Sequence, residues 1–157
     1  MSDAEQDLTA FMRYAAAFEE GFAADDWKLV NVLFDDAVAW AVDGLPAPES
    51  HLAQGRDQVT ASIKRSVDAF DRRFDHREPA PRRPPVAIPG GIHLEWTVTY
   101  TRDGLPPFVL RGEEWDLFHD GKLAMHYERI HNGREALAYM TQHHAALLPA
   151  RQAGDRR

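Results

Sequence analysis

Apolar residues recur every three or four positions through residues 5–22, at Leu8, Phe11, Met12, Ala15, Phe18 and Phe22. One stripe at that spacing predicts an amphipathic helix. Asp25 and Asp26 stand where an N-cap belongs and open a short second helix, with Trp27, Val30, Leu33 and Phe34 on one side. Residues 38–42 (VAWAV) are β-branched and aromatic and predict a short strand. Residues 43–54 carry Gly44, Pro46 and Pro48 and predict a loop. A third helix over 57–70 presents Val59, Ile63, Val67 and Phe70. Prolines at 79, 81, 84, 85 and 89 exclude a central strand there. That stretch reads as a strand end, an exposed loop and a turn at Pro89-Gly90-Gly91.

From residue 92 the period changes to two. Ile92, Leu94, Trp96, Val98 and Tyr100 share one face, and His93, Glu95, Thr97, Thr99 and Thr101 the other. After a turn at 103–107, strands over 108–119 and 122–131 flank Asp120-Gly121, a strong hairpin signal. Asn132-Gly133 ends the sheet, and a last helix spans 134–148. Helices followed by a run of antiparallel strands mean an α+β chain, with the helical half covering one face of a curved sheet. One domain is expected over 1–150, with a disordered tail at 151–157.

A two-residue turn at Asp120-Gly121 pairs His119 with Lys122 and predicts the rest of the hairpin. Leu117 then opposes Ala124, Trp115 opposes His126, Glu113 opposes Glu128, and Arg111 opposes Ile130. Strict alternation places these residues on one face, leaving Phe118, Leu123, Met125 and Tyr127 on the other. If the first face is concave, it brings two carboxylates, an imidazole and a guanidinium against an aromatic wall. Crowded carboxylates resist double ionisation and a histidine titrates near neutrality, which equips a site for general acid–base work. On a convex face, the same residues are solvated ion pairs of Glu113 with Arg111 and of Glu128 with Arg129.

Composition narrows the choices. The chain has 157 residues, 44% hydrophobic and 27% charged, as in a soluble globular protein. Eighteen basic against 25 acidic side chains give a net charge of −7, which argues against nucleic acid or an anionic membrane as partner. Cysteine is absent, so disulfides, thiolate nucleophiles and cysteine-held metals are excluded. The eight histidines show no HExxH-like spacing, and no metal or other cofactor is expected. No apolar run is long enough to span a membrane. The start, MSDAEQDL, has no basic region followed by an apolar stretch, so a secretory signal is not expected and a cytoplasmic location is.

Residues 23–38 (AADDWKLVNVLFDDAV), 55–59 (GRDQV), 93–100 (HLEWTVTY) and 113–129 (EEWDLFHDGKLAMHYER) together resemble the nuclear transport factor 2-like superfamily, and within it the SnoaL-like group. The resemblance covers roughly residues 10–130. It implies a cone-shaped barrel, in which a curved, mostly antiparallel sheet wraps around a long helix, with two further helices from the N-terminal half. A pocket is implied at the open end. The family is often homodimeric and includes polyketide cyclases, steroid isomerases, dehydratases, epoxide hydrolases and non-catalytic modules, so the fold does not decide the function.

SnoaL-like proteins often carry a segment like GKIVEHWD at this hairpin, and residues 121–128 here read GKLAMHYE. The resemblance places His126 on the family histidine and Glu128 on a pocket-facing acid, with Glu for the usual Asp. Relatives resembling limonene epoxide hydrolase carry an Arg and an Asp where His93 and Glu95 stand. Residues 45–59 also resemble that group. His93 replaces the Arg, however, and the water-positioning Tyr and Asn align with Trp40 and Val42. His93 and Glu95 are therefore either site residues or polar residues on the outer face of a half-buried strand. For steroid-isomerase chemistry the matching positions are Phe18, Ala41 and Trp115, none of which moves a proton.

Two functions follow as expectations. In the first, the cone binds a small, mostly apolar molecule and catalyses a cofactor-free cyclisation, isomerisation, dehydration or hydrolysis. Glu128 is then the general base and His126 the acid or orienting group. Glu113, His93 and Glu95 are candidate partners, and Trp40, Trp115, Arg111 and Leu117 line the pocket. In the second, the chain is a non-catalytic ligand-binding or dimerisation module, pairing as a homodimer through Phe118, Leu123, Met125 and Tyr127 on the outer sheet face.

Overall fold

The first helix, α1, runs Asp3–Ala24 in a computed structural model that describes residues 2–46 and 51–148. A capping box starts it. The Ser2 hydroxyl accepts from the Glu5 amide, and the Glu5 carboxylate accepts from the Ser2 amide. Its buried face is Phe11, Tyr14 and Phe22, with Phe18 packed against them. Leu8 and Met12 are exposed, so the apolar stripe is rotated from the predicted one and Tyr14 takes part in it. Each fully buried aromatic stabilises the packing by roughly 1.5–3 kcal/mol.

Helix α2 is a single turn, Lys28–Asn31, because Phe34 opens strand β1 (Phe34–Asp43), which starts earlier than predicted. Strand β2 (His51–Gln54) occupies the end of the expected loop and pairs antiparallel with β1. Helix α3 covers Arg56–Ala69 and buries Val59, Ile63 and Val67, as its spacing predicts. Strand β3 (His76–Pro81) carries Pro79 and Pro81 on the sheet edge, where their missing N–H groups cost no ladder bond. Strands β4 (Val86–Ile88), β5 (Gly91–Thr101), β6 (Phe108–His119) and β7 (Lys122–Ile130) follow. Helix α4 (Gly133–Gln142) is shorter than expected. The tail at 151–157 lies outside the described residues.

The sheet order is β2-β1-β7-β6-β5-β3, with β4 also pairing with β5. The β1–β7 pair is parallel and the others are antiparallel. This is the α+β cone, a curved, mostly antiparallel sheet wrapped around α1. No helix among the described residues is long and apolar enough to cross a membrane.

One irregularity decides which side chains enter the cone. The hairpin begins as predicted, with His119 opposite Lys122 and Phe118 opposite Leu123. Asp120 and Gly121 both take positive φ, as a two-residue turn requires. The register then slips. Leu117 pairs with Met125, Asp116 with His126, Trp115 with Tyr127, Glu114 with Glu128, and Glu113 with Arg129. Ala124 is the extra residue of a β-bulge. The bulge reconciles two anchors that strict alternation would separate. Leu123 and Ile130 are both buried, at 1% and 6% exposed, yet stand seven positions apart.

The slip corrects the predicted parity. Arg111, Glu113, Trp115 and Leu117 do not share a face with His126 and Glu128. Leu123 and Phe118 pack in the core, while Met125 and Tyr127 stay on the outer face.

Candidate functional site

The inner wall is built from residues that the register places side by side. In the parallel pair, Trp40 of β1 is level with His126 of β7, and Val42 with Glu128. Across the hairpin, Asp116 faces His126 and Glu114 faces Glu128. On β5, Ile92 is level with Asp116, Leu94 with Glu114 and Trp96 with Gly112. Gly112 is required there, since a Cβ would lie 2.5 Å from the Trp96 ring.

His126 is the hub. It is 2% exposed, and its ring stacks on Trp40 with centroids 3.7 Å apart and an 18° tilt. Its Nδ1 is 2.7 Å from Oδ1 of Asp116, which is wholly buried. A carboxyl group at that distance orients the imidazole, and Nε2 is the ring nitrogen left without a hydrogen-bond partner among the described residues. One imidazole nitrogen and one oxygen each from Glu114 and Glu128 lie within 4.8 Å of one another. Among the described residues, His126 Nε2, Asp116 Oδ2 and Trp96 Nε1 are buried polar atoms with no hydrogen-bond partner.

The acids are perturbed. Burial pushes Asp116 up to about 8. Burial and the neighbouring Asp116 charge push Glu114 up to about 8. Burial raises Glu128 to about 7 although His126 opposes the shift. Tyr14 reaches this cluster from α1, and burial followed by the charges of Asp116, Glu114 and Glu128 drives its hydroxyl well above the usual range. Proton donors and acceptors near neutrality therefore stand beside an aromatic plane, which is the composition of an acid–base site.

Of the residues read from the sequence, Glu128, His126 and Trp40 are brought together. The others stand elsewhere. Glu113 binds His93 at 3.0 Å and His131 at 3.2 Å on the outer face. Burial would raise Glu113, but its hydrogen bonds with His131 and His93 outweigh that and hold it below the usual carboxylate range. Glu95 pairs with Arg83 at 2.5 Å. Trp115 stacks on His93 and lies under Arg129. Arg111 is exposed and 3.6 Å from Glu135. Leu117 is half-buried on that same outer side.

Tyr14, not Phe18, is the α1 residue beside the acids, and Glu114, not Trp115, faces inward from β6. Strand β1 offers only the apolar side chains of Phe34, Val38, Trp40 and Val42 as buried residues. The sequence reading placed Trp96 on the apolar face of its strand and missed Glu114, Asp116 and Tyr14. One signal could have found two of them: the odd spacing from Leu123 to Ile130 demands a bulge, and a bulge sets Asp116 opposite His126 and Glu114 opposite Glu128.

No protein-family model matches the chain, and no curated protein matches it. Solved structures do. An NTF2-like protein of unknown function from Burkholderia pseudomallei K96243 is similar, with a TM-score of 0.63 at 19% identity, covering 90% of this chain and 99% of that one. A SnoaL-like protein from Jannaschia sp. CCS1, provisionally named a polyketide cyclase, gives 0.65 at 14% identity, with 90% and 93% covered. TerC, co-crystallised with polyporic acid, gives 0.63 at 13% identity, with 87% and 98% covered. These likenesses show the NTF2-like fold.

Proposed function

We propose that this protein binds a small, flat, mostly apolar molecule inside the cone and carries out general acid–base chemistry on it. The observation that carries the reading is the buried Asp116–His126 pair, stacked on Trp40 and flanked by Glu114 and Glu128. In this reading Glu128 removes a proton from the ligand, and His126, held by Asp116, donates or relays one through Nε2. Glu114 and Tyr14 supply hydrogen bonds to a developing oxyanion. Cyclisation, isomerisation, dehydration and epoxide opening each need such a set. The polyporic acid complex of TerC supports an aromatic ligand for this fold.

A thermal-shift screen of wild type and Glu128→Gln tests it. The panel is polycyclic ketones, epoxides, terpenoids, fatty acids and polyporic acid. A ligand at ~100 times its dissociation constant adds about 2.7 kcal/mol. The expected result is a hit whose shift changes in Glu128→Gln, with turnover lost in that variant. A panel without hits, or hits indifferent to the substitution, would overturn the reading.

The outer face supports a further element of the proposal, a homodimer. Trp115 lies beside Tyr127 and Leu117 beside Met125, with Ala39 and Ala41 continuing the row on β1. These apolar side chains are only half-buried, and a second copy of the sheet would cover them. A monomer in sedimentation at micromolar concentration would refute it.

A further inference from the structure

We propose that Glu114, His126 and Glu128 form a binding site for one divalent first-row transition-metal ion. The three donors converge from two adjacent strands, with donor atoms within 4.8 Å of one another. An ion held at about 2.0–2.2 Å in a tetrahedron spaces its donors ~3.4 Å apart, so side-chain rotations of roughly 1 Å suffice. His126 gives the independent observation. It is 2% exposed, one of its ring nitrogens lies within 4.8 Å of an oxygen of each carboxylate, and its Nε2 has no hydrogen-bond partner among the described residues.

The surroundings fit a metal ligand. Nδ1 of His126 is 2.7 Å from the Asp116 carboxylate. A carboxylate on the far nitrogen fixes the tautomer and directs the other lone pair at the ion, the usual support behind metal-bound histidines. Trp40 stacked on the ring holds its plane. What acts on the carboxylates is mainly burial, one another and His126. Arg72 and Arg77 are engaged by Asp25, Asp68, Asp71 and Glu19 instead. A divalent cation would supply this cluster with a countercharge.

The donor set also selects the ion. One imidazole and two carboxylates suit Zn²⁺, Mn²⁺, Fe²⁺ or Co²⁺. Calcium takes six to eight oxygens, and magnesium keeps most of its waters. The ion and the protons of Glu114 and Glu128 compete for the same oxygens, so binding releases protons, and the metal-loaded and acid–base forms of the site exclude each other.

The test uses the tag-free, EDTA-treated full chain without any substrate, so it stands or falls separately from the acid–base reading. Calorimetric titration with Zn²⁺ and absorption titration with Co²⁺ at neutral pH should each show one ion per chain, with proton release that varies with buffer ionisation enthalpy. Glu114→Gln and Glu128→Gln should each weaken binding at least tenfold. Asp116→Asn should weaken it by about 10–100-fold through the loss of histidine orientation. Glu113→Gln, in the outer His93–Glu113–His131 cluster, should leave it unchanged. Wild-type protein that takes up no stoichiometric ion overturns the proposal, as does binding lost in Glu113→Gln and retained in Glu114→Gln and Glu128→Gln. Because the wild-type arm decides first, a variant that fails to fold does not shield the proposal.

Discussion

Gly112→Ala would press directly on the wall that holds the acids. Gly112 sits on β6 opposite Trp96, and an alanine Cβ would lie 2.5 Å from Cζ2 and 2.8 Å from Cη2 of that ring, and 2.8 Å from the Arg129 carbonyl oxygen. Carbon atoms in contact sit about 3.5–4.0 Å apart, so the ring must retreat by roughly 1 Å. Trp96 is 7% exposed and cannot swing into solvent. Overpacking of this kind costs about 1–3 kcal/mol. In a protein of this size each kcal/mol lowers the melting temperature by about 2–4 °C, which gives a drop of roughly 2–12 °C. The clash has two parts, and a second substitution separates them. Trp96→Phe removes Cζ2 and Cη2 but leaves the Arg129 carbonyl. Urea denaturation followed by far-ultraviolet circular dichroism on both single variants and the double variant measures the coupling. The double variant should be more stable than the sum of the single losses implies, by on the order of 1 kcal/mol. Additive losses, or a Gly112→Ala protein within about 0.5 kcal/mol of wild type, would refute the steric account.

Two further outcomes follow from the buried charges. Glu114, Asp116 and Glu128 titrate near 8, 8 and 7 in the folded chain and near 4 when unfolded. The folded state therefore holds their protons longer. The stability they contribute is full below the unfolded values and is lost as pH rises through the folded ones. In EDTA-containing buffer the urea midpoint should fall between about pH 5 and about pH 9, and the fall should shrink in Glu114→Gln; equal slopes in the two proteins would contradict it. At the other end of the sheet, Arg77 bonds Asp71 at 3.0 Å and Glu19 at 2.8 Å, over the Phe18 and Phe22 rings. Arg77→Met strands the Asp71 carboxylate beside Tyr100 and should cost about 3–5 kcal/mol, with part recovered by adding Asp71→Asn. No recovery in that double variant would point to lost packing rather than a stranded charge.

Periodicity made most of the scaffold legible. The alternation of β5, the apolar spacing of α3 and the Asp120-Gly121 turn all survive in the structure, because each depends on contacts close along the chain. Tertiary packing overrode the rest. Leu8 and Met12 fit the α1 stripe as well as Tyr14 does, and only the position of the sheet decides that Tyr14 turns inward. Strand β2 is four residues long and gains its pairing from β1, so its local sequence carried little signal. At the candidate site, Glu128 and His126 were read from the family resemblance and Trp40 as an aromatic wall, and the parallel β1–β7 pair sets the three side by side. Glu113 and Trp115 were assigned inward by an alternation that the hairpin does not keep. The error was one of counting, since a single unpaired residue exchanged Glu113 for Glu114 and Trp115 for Asp116.

The unpaired residue also gives the hairpin a tolerance in length. Ala124 has a methyl side chain, no functional group and no partner on β6. Losing it would close the bulge and leave Leu117 opposite Met125, Asp116 opposite His126 and Glu114 opposite Glu128, as they are now. The two faces of the hairpin would keep their residues, and the cone its acids. One codon near the tip of this hairpin can therefore be lost without exchanging interior for exterior, a freedom that fully paired positions along the same strands do not have.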